Sequence, residues 1–443
     1  MNKKISKALI VFSNQFGKSR IKWKNYKLFS KTQFYTLEEL KNFQNLRLQN
    51  LLKEVSENVP YYYSLFKSLK LEPSKINLDT LSQVPFLTKS IIRTEKKQLL
   101  NKKINPERVV PNSTSGSSGE KTLFYSDKDS VLFKGSLIWR ALNWLDLDFG
   151  DKELRIWGSR FDLQRDSETF TRLKSFLKNK VVLSSYKLTP DIIESYLKFI
   201  QRFKPEQIHA YPSSIYEISK YIIDKKIKPF KPRVILTSGE QLYPWQRESI
   251  ENAFDVKVYN FYGCREVNII AQECKERKGL HVMAENIILE VVNDKGENVF
   301  DEEGEIVVTD LSNYVFPFIR YKILDRGILT KEKCTCGMTL PLLKAVNGRT
   351  FDLVKLPNGG SIGATFFTHL FREKDGIKDF RIYQDKIDEI NIEFIPENGG
   401  TDIHFFIEKI TKQSDNLLKV YFKAVDKFIV PDSGKKQFIK SSI

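Results

Sequence analysis

The sequence predicts an α/β fold: a large domain of mixed sheets and helices, followed after Asp352 by a smaller α+β domain. Three observations lead there. At 443 residues the chain is longer than one core usually accommodates, and 41% hydrophobic residues is ample to fold it. Residues 106–270 alternate short apolar strands with helical stretches. Past residue 352 the apolar runs become short and alternating, as in a small sheet.

Taken in order, residues 37–70 read as mostly helix, with Asn58-Val59-Pro60-Tyr61-Tyr62 inside them. Helical patterns recur at 190–203 and 213–226. Val234-Ile235-Leu236 reads as a short buried strand entering the turn Thr237-Ser238-Gly239-Glu240, and residues 256–261 alternate like a strand. From 286 to 309, alternation around Asn293-Asp294-Lys295-Gly296 predicts antiparallel hairpins. In the small domain, strands are expected at 380–383, 389–395 and 401–407 and a helix at 413–425. No internal repeat is present.

No apolar run approaches the roughly twenty residues that span a bilayer. Ala8-Leu9-Ile10-Val11-Phe12 is stopped by Ser13-Asn14-Gln15 too early for a signal peptide, so a cytoplasmic protein is expected. The net charge of +17, mostly from Lys, favours polyanions: nucleotides, CoA, anionic lipid or nucleic acid. No nucleic-acid module is recognisable. Lys3, Lys4, Lys7, Lys18, Arg20, Lys22, Lys24 and Lys27 surround Phe12, Phe16 and Trp23. Two readings stay open for them, a solvated amphipathic helix covering the domain or a peripheral contact with an acidic membrane face.

Thr114-Ser115-Gly116-Ser117-Ser118-Gly119 places four hydroxyls and two glycines in six positions. Glycine allows close backbone approach and the hydroxyls donate to anionic oxygens, which suits phosphate; the same composition suits a flexible surface loop. Gly119 is followed by Glu120-Lys121-Thr122, so this is no Walker loop, and Gly-x-Gly-x-x-Gly is absent. Downstream come Val234 to Glu240, Tyr262-Gly263-Cys264-Arg265-Glu266, Gly304-Glu305-Ile306, Arg320-Tyr321-Lys322-Ile323-Leu324-Asp325, Gly348-Arg349-Thr350-Phe351-Asp352 and Ser433-Gly434-Lys435. Singly, each has a plain alternative: Asp325-Arg326-Gly327 suits an ordinary turn, and Lys435 beside Lys436 suits a solvated tail.

Together and in this order, from about residue 40 to the end, they resemble the adenylate-forming superfamily, which activates carboxylates as acyl-AMP. The resemblance implies that Thr114, Ser115, Gly116, Ser117, Ser118 and Gly119 hold ATP phosphates, with Gly239 and Glu240 on the adenine side. It sets Tyr262 and Gly263 by the adenine, Glu266 on magnesium, and Asp325 and Arg349 on the ribose. It makes Lys435 the adenylation lysine on a mobile C-terminal lid hinged at Asp352, dividing the chain into 1–351 and 352–443. Arg265 stands where the family has Thr or Ser; it either faces phosphate or points away. His209-Ala210-Tyr211-Pro212-Ser213-Ser214 resembles the carboxylate-side wall, His209 serving equally well as a satisfied core histidine.

Cysteine is scarce, yet Cys274, Cys334 and Cys336 cluster by motif, with His281 seven residues after Cys274. Three thiolates and an imidazole make a closed tetrahedral set for structural zinc; buried free cysteines near a surface histidine are the alternative. Cys-x6-His followed by Cys-x-Cys-Gly resembles a zinc-bearing subset of the phenylacetate-CoA ligase branch. The Tyr-Gly-x-Arg-Glu variant is most similar to members associated with capsule and surface-polysaccharide biosynthesis. The implied activity is an ATP- and Mg2+-dependent ligase passing an acyl group from a carboxylic acid to CoA or another acceptor. A non-catalytic nucleotide-binding scaffold and a basic membrane-associated binding protein are the alternatives.

Overall fold

The structure, a computed structural model, describes residues 19–113, 122–157, 179–185, 188–349, 353–358, 361–363, 366–367, 370–371, 374, 376–397, 400–428 and 438–443. The chain divides into two compact units, Met1–Ile323 with Gly327–Ala345, and Leu324–Arg326 with Val346–Ile443.

The first unit opens with helices α1 (Ser19–Thr32), α2 (Leu37–Asn58), α3 (Pro60–Ser68) and α4 (Lys89–Thr94). Thr36 and Glu39 form a reciprocal capping box at the start of α2. Pro60, which cannot donate a backbone hydrogen bond, breaks the predicted 37–70 helix into two. Strands β1 (Val109–Ser113) and β2 (Leu123–Asp127) form a separate antiparallel pair, and α5 (Lys128–Asn143) follows.

The α/β core then runs β3 (Glu153–Trp157), β4 (Lys180–Ser184), α6 (Pro190–Phe203), β5 (Gln207–Ala210), α7 (Pro212–Asp224), β6 (Val234–Ser238), α8 (Pro244–Phe254) and β7 (Val258–Cys264). Each of α6, α7 and α8 begins with proline at its first turn, where the fixed φ is already helical and the missing N–H is not needed. Strands β8 (Asn268–Glu273), β9 (Leu280–Val282), β10 (Ile287–Val292), β11 (Glu303–Asp310), β12 (Tyr321–Thr330) and β13 (Leu342–Arg349) follow. They join the core in one sheet of order β10-β11-β12-β13-β9-β8-β7-β6-β5-β3-β4. The expected hairpin over 286–309 is the antiparallel pair β10–β11.

The parallel part of this sheet has two unlike faces. One carries Leu154, Ile156, Ile208, Ala210, Ile235 and Val258, sealed by apolar residues of α6, α7 and α8 such as Ile200, Ile218 and Ile250. In register on the other lie Glu153, Arg155 and Trp157 of β3, His209 of β5, Ser238 of β6 and Phe261 of β7. Because side chains alternate along each strand, the first face builds one core, while on the second Val234, Leu236 and Tyr259 pack against Leu145 and Leu147, and His209 and Ser238 lie next to them on the same face.

The second unit contains β14 (Leu353–Lys355), β15 (Ser361–Gly363), β16 (Ile377–Lys386), β17 (Glu389–Pro396), α9 (Ile403–Gln413), β18 (Lys419–Ala424) and β19 (Ile439–Ser441). Its larger sheet has the order β18-β17-β16-β19 around a phenylalanine-rich core including Phe371, Phe380, Phe394 and Phe406. The α+β class is as predicted, but two elements are exchanged. Residues 401–407, expected as a strand, enter helix α9, because Asp402 accepts a hydrogen bond from the Phe405 N–H as N-cap and Phe406 and Ile410 share the buried side. Residues 419–424, expected as helix, form β18 parallel to β17, where pairing overrides local propensity.

Candidate active site and a thiol–imidazole cluster

In an open parallel sheet, ligands settle at the carboxyl ends of the strands, where the backbone turns away and side chains converge. Trp157 ends β3, Tyr211 follows β5, Gly239 and Glu240 follow β6, and Tyr262 and Gly263 lie near the end of β7. Gly239 has φ +82°, a conformation costly for a residue bearing Cβ. The Glu240 carboxylate accepts from the Ser213 N–H at 3.0 Å, placing negative charge at the N-terminus of α7 and tying β6 to that helix.

Aromatic rings line this edge. The Trp157 centroid lies 4.2 Å from Tyr211 and 5.5 Å from His209, and Phe261 lies 5.7 Å from His209. His209 Nε2 is 2.8 Å from Ser238 Oγ. Loss of hydration, then the Arg155 charge, draws the His209 pKa down to about 3, with Glu153 opposing. The imidazole is therefore neutral near pH 7 and serves as a hydrogen-bonding group. Burial disfavours ionisation of Glu153, yet Arg155 and Lys180 together hold its carboxyl well below the usual range. Arg155 Nε lies 2.5 Å from Glu153 Oε1.

The β7–β8 hairpin builds the second part of the edge. A bulge falls between Tyr262 and Gly263, and a Cβ at Gly263 would sit 2.1 Å from the Asn268 carbonyl oxygen, so only glycine fits. The tight turn presents Arg265 and Glu266. Arg265 Nη1 reaches the Ser113 carbonyl at 3.5 Å, directly before the 114–119 loop, so the guanidinium stands at the root of that loop. Glu266 is buried and accepts a 2.8 Å hydrogen bond from the Tyr321 hydroxyl. Tyr321 is itself pinned: Leu87 N–H donates to the Arg320 carbonyl at 3.0 Å and Lys322 N–H to the Leu87 carbonyl at 2.9 Å.

Of the residues proposed from sequence, Gly239, Glu240, Tyr262 and Gly263 share the carboxyl edge of adjacent strands, with Glu266 in the turn that follows. Asp325 lies on β12, after Leu324, whose φ of +69° is strained for a branched side chain. Thr114, Ser115, Gly116, Ser117, Ser118, Gly119, Asp352 and Lys435 lie outside the described residues, as does the Arg349 side chain. Two contributors escaped the sequence reading. Trp157 closes the alternating run Glu153-Leu154-Arg155-Ile156-Trp157, which was the available signal. The Tyr321 hydrogen bond joins residues 55 apart and had no local signal.

The second cluster lies at the opposite end of β8. Donor atoms of Cys274, His281, Cys334 and Cys336 all lie within 4.8 Å of one another. Cys274 Sγ and Cys334 Sγ are 3.7 Å apart, and Cys336 Sγ is 3.3 Å from His281 Nε2. Four ligands about 2.0–2.3 Å from a central zinc would have sulfur–sulfur edges of about 3.8 Å, so the donor set fits. Gly337, at φ +84°, turns the Cys334-Thr335-Cys336 segment back on itself. Burial, then neighbouring thiols, pushes Cys274 up to about 12; burial also raises Cys336 and draws His281 down to about 4. Without a cation this pocket resists thiolates, and a divalent metal reverses that balance. Trp144 packs edge-on to His281 at 5.6 Å and donates to Gln33 at 2.8 Å, linking the cluster to the end of α1.

The fold is that of the adenylate-forming CoA ligases. It aligns with 2-hydroxyisobutyryl-CoA ligase in the postadenylation state, in complex with R3-HIB-AMP, at TM-score 0.75 and 17% identity, over 92% of this chain and 91% of that one. In sequence the chain is homologous to Protein CapK of Staphylococcus aureus, 25% identical over 414 residues covering 91% and 90% of the two chains. It is also homologous to phenylacetate-coenzyme A ligases, with 27% identity to that of Thermus thermophilus over 72% of each. Residues 354–442 match the CapK C-terminal domain.

Proposed function

We propose that the protein is an ATP-dependent ligase that activates a carboxylic acid as an acyl-adenylate and transfers the acyl group to CoA or another acceptor. One observation carries this: Gly239-Glu240 and Tyr262 to Glu266, far apart from the 114–119 motif in sequence, border the strand ends that a nucleotide would occupy, with Arg265 bonded at the root of that motif. A carboxylate oxygen attacks the α-phosphorus and pyrophosphate leaves, so negative charge gathers where the groups meet. Magnesium would neutralise phosphate charge. Glu266 would hold it, kept in place by Tyr321, while Lys435 and the donors of residues 114–119 stabilise the developing charge and Asp325 and Arg349 fix the ribose. The ring wall of Trp157, His209, Tyr211 and Phe261 would receive the acyl part.

Rotation of the C-terminal domain about Asp352 would withdraw Lys435 and admit the acceptor. Cys274, His281, Cys334 and Cys336 would hold zinc with no open position, a structural role. Among the described residues no helix is long and apolar enough to cross a membrane, and a cytoplasmic setting is the reading we adopt. The similarity to Protein CapK supports a place in capsular polysaccharide assembly.

ATP–pyrophosphate exchange across a panel of carboxylic acids, with a mass-spectrometric search for co-purified acyl-AMP, tests the reaction. Exchange with at least one acid is expected. Its absence with every acid, in protein that still binds ATP, supports a non-catalytic scaffold.

A further inference from the structure

The hairpin turn that carries Glu266 holds a second charged residue, and the structure decides its direction. Strand β7 ends at Cys264, which pairs with Asn268, so the turn consists of Arg265, Glu266 and Val267. Asn268 closes it at φ +68°, a left-handed conformation that asparagine tolerates better than most residues. Val267 is fully buried and Glu266 accepts from the Tyr321 hydroxyl at 2.8 Å, so two of the three turn residues are fixed inward. Arg265 is the half-buried one. Its Nη1 lies 3.5 Å from the carbonyl oxygen of Ser113, the last residue of β1, which sets the guanidinium between that strand end and the β7–β8 turn. The separation is at the outer limit of a hydrogen bond; it locates the guanidinium, and the contact itself is weak.

The segments bordering these strand ends, 211–214, 238–241 and 262–266, contain two carboxylates, Glu240 and Glu266, and a single cation, Arg265. A triphosphate brought to this edge meets two negative charges, and like charges repel strongly where water is excluded. A guanidinium stays charged at every working pH and presents a planar fork of donors that matches two phosphate oxygens at once. In chain order Arg265 stands between Tyr262-Gly263, read above as bordering the nucleotide, and Glu266, read as holding magnesium. The phosphate it meets first is therefore the one joined to the nucleoside.

We propose that Arg265 is a catalytic residue of the adenylation step, its guanidinium binding the non-bridging oxygens of the α-phosphate. This rests on the adenylation reading given above, and of the two directions left open by the sequence it selects the one toward phosphate. The acid's carboxylate oxygen forms a bond to the α-phosphorus while the bond from that phosphorus to the oxygen bridging the β-phosphate breaks; pyrophosphate leaves with the electron pair, and no proton moves. Charge on the non-bridging oxygens peaks as the old bond and the new one are both partly made. A cation fixed beside them lowers the barrier more than it tightens ATP binding.

Pyrophosphate release from ATP by the full chain, with an acid from the exchange panel, tests this in Arg265→Gln and Arg265→Lys. Glutamine keeps a donor for the Ser113 carbonyl and loses the charge; lysine keeps the charge and loses the fork. Arg265→Gln should lower kcat by about a hundredfold, with KM for ATP changed by less than about tenfold and the thermal melt kept, and Arg265→Lys should recover part of that loss. In the Sp and Rp diastereomers of ATPαS, sulfur replaces one or the other non-bridging α-oxygen. The ratio of the two rates should shift in Arg265→Gln, which a purely structural role would not produce. A near-parental kcat in Arg265→Gln, or a lowered kcat with an unchanged diastereomer ratio, overturns the assignment and leaves the adenylation reading standing. A parent that releases pyrophosphate with no acid overturns that reading and this role with it.

Discussion

The two ends of β8 are built on opposite principles. At one end Glu266 is placed by backbone: a bulge, a glycine whose Cβ would overlap the Asn268 carbonyl, and one tyrosine hydroxyl. At the other, Cys274 joins a knot of side chains from three segments that supplies four donors. Six strand residues separate them, on the order of 20 Å at the usual rise. On the proposed reading the thiol–imidazole end would serve the scaffold while the hairpin end would face the nucleotide, and a metal bound at Cys274 would act on stability. A perturbation at either end should leave the other's readout largely intact.

The largest effect expected is on chemistry. Lys435→Ala should lower pyrophosphate-releasing activity by about a thousandfold or more while the thermal melt is unchanged, since one cation facing developing charge contributes rate above all. Near-normal turnover would remove the lysine from the mechanism.

Next comes the knot. Cys334→Ser should lose about one equivalent of zinc by elemental analysis and several kcal/mol of stability, because metal binding and folding are coupled. Metal-free protein melting at the parent temperature would show the cluster to be four packed side chains only.

A smaller effect separates Tyr321 from general packing. Tyr321→Phe keeps the ring against Phe318, 5.2 Å away, and removes one hydrogen bond to a carboxylate. That is worth about 1.4 kcal/mol, so the magnesium concentration for half-maximal exchange should rise about tenfold, with the rate at saturating magnesium nearly kept. An unchanged magnesium dependence would sink the assignment of Glu266 as the metal carboxylate.

The smallest concerns acid. His209 has a folded pKa of about 3 against about 6.5 unfolded, so below pH 6.5 the unfolded chain binds the proton more readily. Its contribution is fully present above pH 6.5 and is lost progressively as pH falls toward 3. His209→Gln should therefore narrow the stability difference between pH 7 and pH 5 by about 2 kcal/mol, read from denaturant midpoints. No change in that difference would mean the imidazole is hydrated.

Much of the fold was visible in local pattern. The hairpin around Asn293 and Gly296 and helices α6 and α7 announced themselves through turn residues and periodicity within single segments. The exchange of α9 and β18 shows the limit: the alternating Ile403-His404-Phe405-Phe406 suits a strand until Asp402 caps it, and Lys419 to Ala424 becomes a strand only because β17 lies alongside. The site divides similarly. Gly239 and Gly263 were marked by motif, whereas the Trp157–Tyr211 contact and the Tyr321–Glu266 bond depend on strands that meet only after folding.

What the sequence determined by itself was chemical supply: glycines where the backbone must turn, three thiols and an imidazole, a hydroxyl-rich loop, and an N-terminus of unopposed positive charge. What tertiary structure decided was direction. Register turned His209, Ser238 and Phe261 to the face opposite Ile208 and Ile235, packing on α5 turned Arg20, Lys24, Lys27 and Lys31 outward, and folding brought Cys334 to Cys274. A one-residue shift in a strand reverses every side chain on it, so these directions are fixed by contacts between segments distant in sequence.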